Sequence, residues 1–390
     1  MPSPLRILQI IPSISLVYGG PSQMVLGLSK GLAAQNIDVT ILTTNSNGDV
    51  GQPPLDVPLD LPVLQDGYQI RYFRCFPFRR YKFSPSLLSW LAHHAHEYDL
   101  AHIHALFSPL STAAATIART HCLPYILRPL GTLDPADLQK KKHLKRLYAA
   151  LFERANLAGA SALHFTSDQE AKISHRFGTT TRDIILPLGV TAPVSALPTH
   201  LPTRSLIPTI LFMSRLDRKK GLDLLLPALQ QLRTEGIEFD FILAGANPQD
   251  RNYENQIHHA IKTSTLADCT TIAGFVTGEA KAKLLQAADV FVLPSYYENF
   301  GIAVAEAMVN GLPVVISDQV HIWREIEQAN AGWICACTVD SLTDRLRVAL
   351  QDVRERQRRG NNAQTYAQTH YSWDAIAQQM IQIYRNLLAG

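Results

Sequence analysis

The chain is poor in cysteine and offers no pattern to pair it. Its five, Cys75, Cys122, Cys269, Cys335 and Cys337, are odd in number and include no Cys-x-x-Cys. A disulfide framework and a cysteine zinc site are disfavoured, and a reducing cytoplasm is the expected setting. No apolar run approaches the length needed to span a bilayer. The early apolar run 7–11 is too short for a signal-peptide core and no cleavage pattern follows it. No Gly-x-Gly-x-x-Gly follows the first strand-like segment, which counts against a dinucleotide-dependent dehydrogenase. Neither sign of charge dominates: the net formal charge is +3, so there is no nucleic-acid signature. The balance is uneven, however. Residues 1–200 carry 18 Lys+Arg against 13 Asp+Glu, and residues 201–390 carry 18 against 20, a net of +5 and of −2. A mildly basic first half suits an anionic partner or a membrane surface.

What is present is the signature of a globular α/β protein. Apolar residues make up 46% of the 390 positions and charged residues 18%, and the length exceeds one ordinary core. Strand patterns at 5–11, 39–43, 69–73, 100–104, 125–127, 162–165 and 183–186 alternate with helical ones, the first being 21–34 with proline at its start. Residues 45–66, rich in Gly, Pro and Asp, are expected to be an irregular loop. Pro193, Pro198, Pro202 and Pro208 mark 191–208 as a linker. The alternation then restarts, with buried strands expected at 209–213, 239–244, 270–272, 290–293 and 314–316. Helices are expected at 221–233, 279–287 and 302–310, and a last amphipathic one at 372–388. The expected architecture is therefore two Rossmann-like domains, 1–190 and 209–370, facing across a cleft, with residues 371–390 as a terminal helix.

Three loops between a strand and a helix carry candidate chemistry. Glu298-Asn299-Phe300-Gly301-Ile302 precedes a helix that contains Glu306. Gly301 would let a ligand approach the backbone, and free amides at the helix start would attract a diphosphate. The two carboxylates could accept hydrogen bonds from sugar and ribose hydroxyls, or be an ordinary helix-start charge and a surface residue. Arg215 and Lys220, in Ser214-Arg215-Leu216-Asp217-Arg218-Lys219-Lys220-Gly221, could hold an anion and stabilise charge on a departing diphosphate. The alternative is a solvated basic loop. Gly19-Gly20 after the first strand matches a loop that meets a phosphate through its amides, but is weak alone. His102 and His104 alternate along one strand and are taken to face opposite sides, with His104 nearer the strand end. Basic stretches at 140–146 and at Arg79, Arg80, Tyr81 and Lys82 could meet anionic lipid or the acceptor, or simply be solvated.

In order along the chain, these elements resemble the retaining glycosyltransferases of family 4, which have the glycosyltransferase-B (GT-B) fold. The resemblance runs from Leu5 to about Leu388. It also includes Leu186-Pro187-Leu188-Gly189-Val190, Leu243-Ala244-Gly245, Gly274-Phe275-Val276, Ala288-Asp289-Val290, Asn310-Gly311-Leu312-Pro313 and Tyr371-Ser372-Trp373. It implies that Arg215 and Lys220 hold the donor diphosphate and that Glu298 contacts the transferred sugar, helped by amides over Asn299, Phe300, Gly301 and Ile302. Glu306 would bind the ribose, Gly19 and Gly20 the phosphate, and Val276 would flank the base. The terminal helix would pack back on the first domain. Where relatives often carry His before Gly, this chain has Leu130-Gly131, closer to a subgroup with an Arg-Gly-Met-Leu type of sequence. Arg128 and His104 are then the acceptor-side candidates, against a surface arginine and a structural histidine. Metal-dependent enzymes of the other major fold commonly use Asp-x-Asp, which is missing here, so neither metal nor other cofactor is expected. The resemblance implies a nucleotide-sugar donor and a glycan or lipid-linked acceptor in cell-surface polysaccharide synthesis, at the inner membrane face, with no nucleic acid. A non-catalytic nucleotide-sugar-binding subunit and a sugar-nucleotide epimerase of the same fold are the rivals.

Overall fold

The computed structural model describes residues 4–48, 53–76, 82–139, 142–191, 207–248 and 250–389. Most of the expected linker, 192–206, therefore lies outside the described residues, as do Arg79, Arg80, Tyr81, Lys140 and Lys141. The chain divides into two compact units, one of Met1–Gly189 with Trp373–Gly390 and one of Val190–Ser372.

The first unit contains β1 (Arg6–Ile10), β2 (Asp38–Thr44), β3 (Pro62–Gln65), β4 (Tyr68–Phe73), β5 (Leu100–His104), β6 (Tyr125–Arg128), β7 (Ala162–Phe165) and β8 (Asp183–Ile185). They form one sheet in the order β3-β4-β2-β1-β5-β6-β7-β8. The sheet grows one way from β1 and then resumes on its other side at β5. With right-handed crossovers, the helices of the two halves fall on opposite faces. Every strand pairing in this sheet is parallel except β3 with β4. That hairpin corrects the expectation of irregular structure through 45–66. Its turn is Asp66-Gly67, with φ of +46° and +85°, the two-residue turn whose twist suits a hairpin.

The second unit contains β9 (Thr209–Met213), β10 (Asp240–Ala244), β11 (Thr270–Gly274), β12 (Val290–Leu293), β13 (Val314–Ser317) and β14 (Gly332–Cys335), all parallel, in the order β11-β10-β9-β12-β13-β14. The inner strands β9, β12 and β13 are apolar on both faces, as strands covered by helices must be. β11 is a half-exposed edge strand rather than the buried one expected, because only β10 pairs with it.

The terminal helix Trp373–Ala389 belongs to the first unit. A Cβ placed on Gly27 or on Gly189 would lie 2.2 Å from the Trp373 ring, so the indole is clamped between two glycines. Further along the helix, Ile376, Ala377, Met380, Ile381 and Tyr384 are buried.

Candidate active site

In an open α/β sheet the crevice lies beyond the carboxyl ends of the strands where their order reverses. In the second unit that point falls between β9 and β12. The two loops that leave those strands carry Arg215, Lys220 and Glu298. After β9, the Asp217 carboxylate accepts from the Lys219 amide at 3.1 Å and caps a short 3-10 turn, Arg218–Lys220. Gly221 closes that turn with φ +72°, and a Cβ there would sit 2.1 Å from the Pro294 carbonyl oxygen. Only glycine permits the approach. It locks the two loops together, and the Tyr296 amide donates to the Lys219 carbonyl at 2.8 Å. The consequence is an ion pair between the Lys220 ammonium, 9% exposed, and the Glu298 carboxylate.

Glu298 is held from its other side as well. Its amide donates to the Gln319 carbonyl at 3.1 Å and its carbonyl accepts from the His321 amide at 2.9 Å. Gly301, with φ +75°, then turns the chain into the helix Ile302–Val309. The amides of Phe300, Gly301 and Ile302 donate to no group among the described residues. Unsatisfied amides at a helix start, beside a lysine, make a ready anion site. Tyr297 donates to the Asn299 side chain in a short hydrogen bond. One turn into the same helix, the Glu306 carboxylate meets Lys281 Nζ at 2.5 Å. Arg215 pairs with Asp217 at 3.2 Å and keeps about half its surface in solvent. At the end of β11, Phe275 is 76% exposed and Val276 partly buried, so a ring face stands free at a strand end.

Lys220 and Glu298 thus touch, while Glu306 and Arg215 each have another partner. Lys281 has no signal in the sequence: it lies on the helix Gly278–Ala287, 25 positions before Glu306, and only tertiary folding joins them. The hydrogen bond from Tyr296 to Asp223, at 2.9 Å, is of the same kind.

Gly19, Gly20, His104 and Arg128 lie in the first unit, whose strand order reverses between β1 and β5. Gly19, with φ +66°, starts the helix Gly20–Ala33 and nothing lies within 4 Å of a Cβ built on it. The loop is set by Ser22, whose hydroxyl donates to the Ser15 carbonyl at 2.7 Å.

The two acceptor-side candidates fare differently from their expectation. His102 and His104 share one face, because residues two apart on a strand project the same way, and their rings stack with centroids 4.6 Å apart. Both are wholly buried, as a structural histidine would be, and His104 offers no exposed face. It shares a hydrogen bond with Gln9 Oε1 at 2.7 Å, and Gln9 donates to the Tyr384 hydroxyl at 3.2 Å. His102 links Tyr384 at 3.0 Å to His164 at 3.2 Å, and His164 reaches the Leu186 carbonyl at 3.0 Å. Burial, and then the Arg128 charge or a neighbouring histidine, holds all three imidazoles well below their ordinary pKa. Arg128 is 2% exposed, not a surface arginine. Its Nη1 meets Met24 Sδ at 2.8 Å and burial lowers its pKa to about 10.

Comparison with known proteins follows the same division into units. The family described as glycosyl transferases group 1 matches residues 203–366, and the glycosyl transferase 4-like domain matches residues 19–189. The chain belongs to the group 1 glycosyltransferases. An uncharacterized glycosyltransferase of Methanocaldococcus jannaschii is 32% identical over 45% of this chain and 44% of its own. The match thus spans about half the length of that relative. Among solved structures, sucrose-phosphate synthase from Thermosynechococcus elongatus aligns over 99% of each chain with a TM-score of 0.78 and 24% identity. Anabaena HepE in complex with UDP and glucose aligns over 98% of this chain and 100% of its own, at 0.72 and 19%. The fold of this glycosyltransferase is GT-B. Among the described residues no helix is long and apolar enough to cross a membrane.

Proposed function

We propose that this glycosyltransferase moves a sugar, with retention and without a metal, from a nucleoside diphosphate sugar to a glycan or lipid-linked acceptor in cell-surface polysaccharide synthesis. The observation that carries the reading is the Lys220–Glu298 pair beside the unsatisfied amides of Phe300, Gly301 and Ile302, at the strand reversal of the second unit. As the bond from the anomeric carbon to the β-phosphate oxygen breaks, negative charge grows on that oxygen. Lys220 and the amides neutralise it in place, with Arg215 adding a bidentate donor once it leaves Asp217. Lys220, with Arg215 once it swings over, would take the part that a divalent ion plays elsewhere. Glu298 accepts from a hydroxyl of the transferred sugar, and Glu306, held by Lys281, accepts from the ribose. Phe275 offers its ring to the base, with Val276 beside it. The UDP and glucose bound by HepE make UDP-glucose the first donor to try.

Thermal shift with UDP, GDP and ADP tests this directly. A ligand at 100 times its Kd stabilises by about 2.7 kcal/mol. A shift with one of the three that disappears in Lys220→Ala supports the reading. No shift with any of them overturns the donor site.

A further inference from the structure

Beyond the carboxyl ends of β5 and β6, the first unit builds a recess that collects positive charge. The loop after β5 holds Ala105 and Phe107 at φ of +68° and +57°, a costly conformation for residues other than glycine. A buried carboxylate keeps it there. Glu153 accepts from the Phe107 amide at 3.0 Å and from the Thr112 hydroxyl at 2.6 Å. The Phe107 ring is thereby fixed, with its centroid 6.1 Å from that of Phe177 and 6.0 Å from that of Tyr148. His175 stands against Phe177 at 4.6 Å. Its own amide donates to the carbonyl of Leu133, in the loop after β6, at 2.9 Å. Ligands of open α/β sheets sit beyond such strand ends.

Against this aromatic wall runs the helix Lys142–Tyr148. It lines the recess with Lys142, Lys145 and Arg146, and Leu138, His175 and Phe177 line it too. Steps of three and four put the three cations on one helix face, where like charges repel. No carboxylate is among the described residues that line the recess. Neither Lys142 nor Arg146 has an ion-pair partner among the described residues. Lys145 Nζ lies over the Phe107 ring, 5.7 Å from its centroid. His175 Nδ1 accepts from the Phe177 amide at 3.2 Å, so the neutral ring keeps its proton on Nε2 as a further donor. The recess encloses about 120 Å³, the room of about four waters. That suits one tetrahedral oxyanion and is too little for a sugar ring. Three cations and a ring N–H exceed what the two oxygens of a carboxylate can take. A phosphate ester, with its greater charge and three free oxygens, matches them.

We propose that this recess binds a phosphate ester of the acceptor, so that the sugar passes to a phosphorylated acceptor rather than a neutral one. That the phosphate belongs to an acceptor rests on the glycosyl transfer proposed above, while the recess itself lies in the other unit from the donor site. Calorimetry on the full chain carrying Lys220→Ala, which disables the proposed donor site, tests the recess alone. Glucose 6-phosphate probes a terminal monoester and inorganic pyrophosphate a diphosphate linkage, and the tighter of the two names the source. Glucose itself should not bind. Lys142→Gln/Arg146→Gln should weaken the tighter probe about a hundredfold, two charge-assisted contacts at about tenfold each. Lys142→Arg/Arg146→Lys keeps the charge and should keep most of the affinity. The melting temperature of the glutamine variant should not fall, because losing like charges relieves repulsion. With Lys220 intact, UDP should stabilise that variant as it does the unaltered chain. A failure of the donor reading therefore shows with UDP, and a failure of the recess with the phosphates. In donor consumption with UDP-glucose, hexose 6-phosphates should be preferred to the hexoses. Binding of neither probe, equal binding of glucose, or affinity indifferent to Lys142→Gln/Arg146→Gln would overturn the proposal. So would a neutral hexose used as well as its phosphate.

Discussion

Acid should weaken the first unit through three histidines. His102, His104 and His164 are wholly buried, and burial together with the Arg128 charge holds each imidazole neutral well below its ordinary pKa. In the unfolded chain each would titrate near pH 6.5. Below that pH the unfolded chain takes up protons and the folded chain does not. Stability is therefore full above about pH 7 and falls as the pH falls, the sign expected when folding depresses a pKa. Each histidine contributes about 1.4 kcal/mol per pH unit once the unfolded form is protonated, so three contribute about 4. At pH 5 the accumulated loss is about 6 kcal/mol, provided the folded imidazoles stay neutral, and that is comparable with the whole stability of a typical domain. Urea unfolding between pH 8 and pH 5 measures it. In a Trp323→Phe/Trp333→Phe background the fluorescence comes from Trp90 and Trp373, both in the first unit. His164→Gln should remove about a third of the slope, along with some stability at every pH. A first unit equally stable at pH 7 and pH 5 would refute the reasoning.

Three further outcomes are expected. Lys220→Ala and Glu298→Gln should each lower turnover by at least roughly a hundredfold, the scale of transition-state electrostatics, in a donor-consumption assay with UDP-glucose; near-normal rates in either would contradict its role. Lys281→Met frees the Glu306 carboxylate from its 2.5 Å partner, and should weaken nucleoside diphosphate binding by roughly tenfold in calorimetry while leaving folding intact. Gly189→Ala drives a Cβ into the Trp373 ring, and should release the terminal helix, seen as faster tryptic cleavage after Arg385 and a destabilisation of about 1–3 kcal/mol.

The architecture was legible wherever a local pattern has a local cause. Inner strands such as Thr209–Met213 and Val290–Leu293 are short apolar runs bounded by turn signals, and the structure places them at the residues expected. The hairpin at Pro62–Gln65 was also readable, since Asp66-Gly67 is a turn signal that the surrounding prolines and glycines obscure. The strand at Gly332–Cys335 was not, because a four-residue edge that opens on a glycine has little pattern of its own. The faces of His102 and His104 needed only the period of two, correctly applied. Their burial needed more, for it depends on Tyr384, which the chain brings back from 282 residues away. The same holds for Lys281 on Glu306: charged residues announce chemistry, but which charge meets which is decided by tertiary contact.

The Lys220–Glu298 pair gives the candidate site a definite resting state. Left alone where each is largely buried, either charge would be costly to desolvate, and a partner offsets that cost. A carboxylate is a partner that a diphosphate can displace, since phosphate oxygens carry more charge and the amides of Phe300, Gly301 and Ile302 favour the newcomer further. Displacement would release Glu298 from the lysine just as a sugar hydroxyl becomes available to it. Donor binding would thus exchange one satisfied arrangement for another rather than order a site from disorder. The backbone supports this economy: Gly221 against Pro294, and Glu298 bonded on both sides to the segment Gln319–His321, fix the two loops before any ligand arrives. On the proposed reading, replacing Lys220 would have two effects at once, loss of a phosphate contact and an uncompensated carboxylate facing the incoming diphosphate. Replacing Glu298 by glutamine would remove the negative charge that pairs with Lys220 but keep a carbonyl oxygen to accept from a hydroxyl. Nucleotide affinity should accordingly fall much more in Lys220→Ala than in Glu298→Gln, although turnover falls in both, and equal losses of affinity would show that the pair does not lie on the diphosphate.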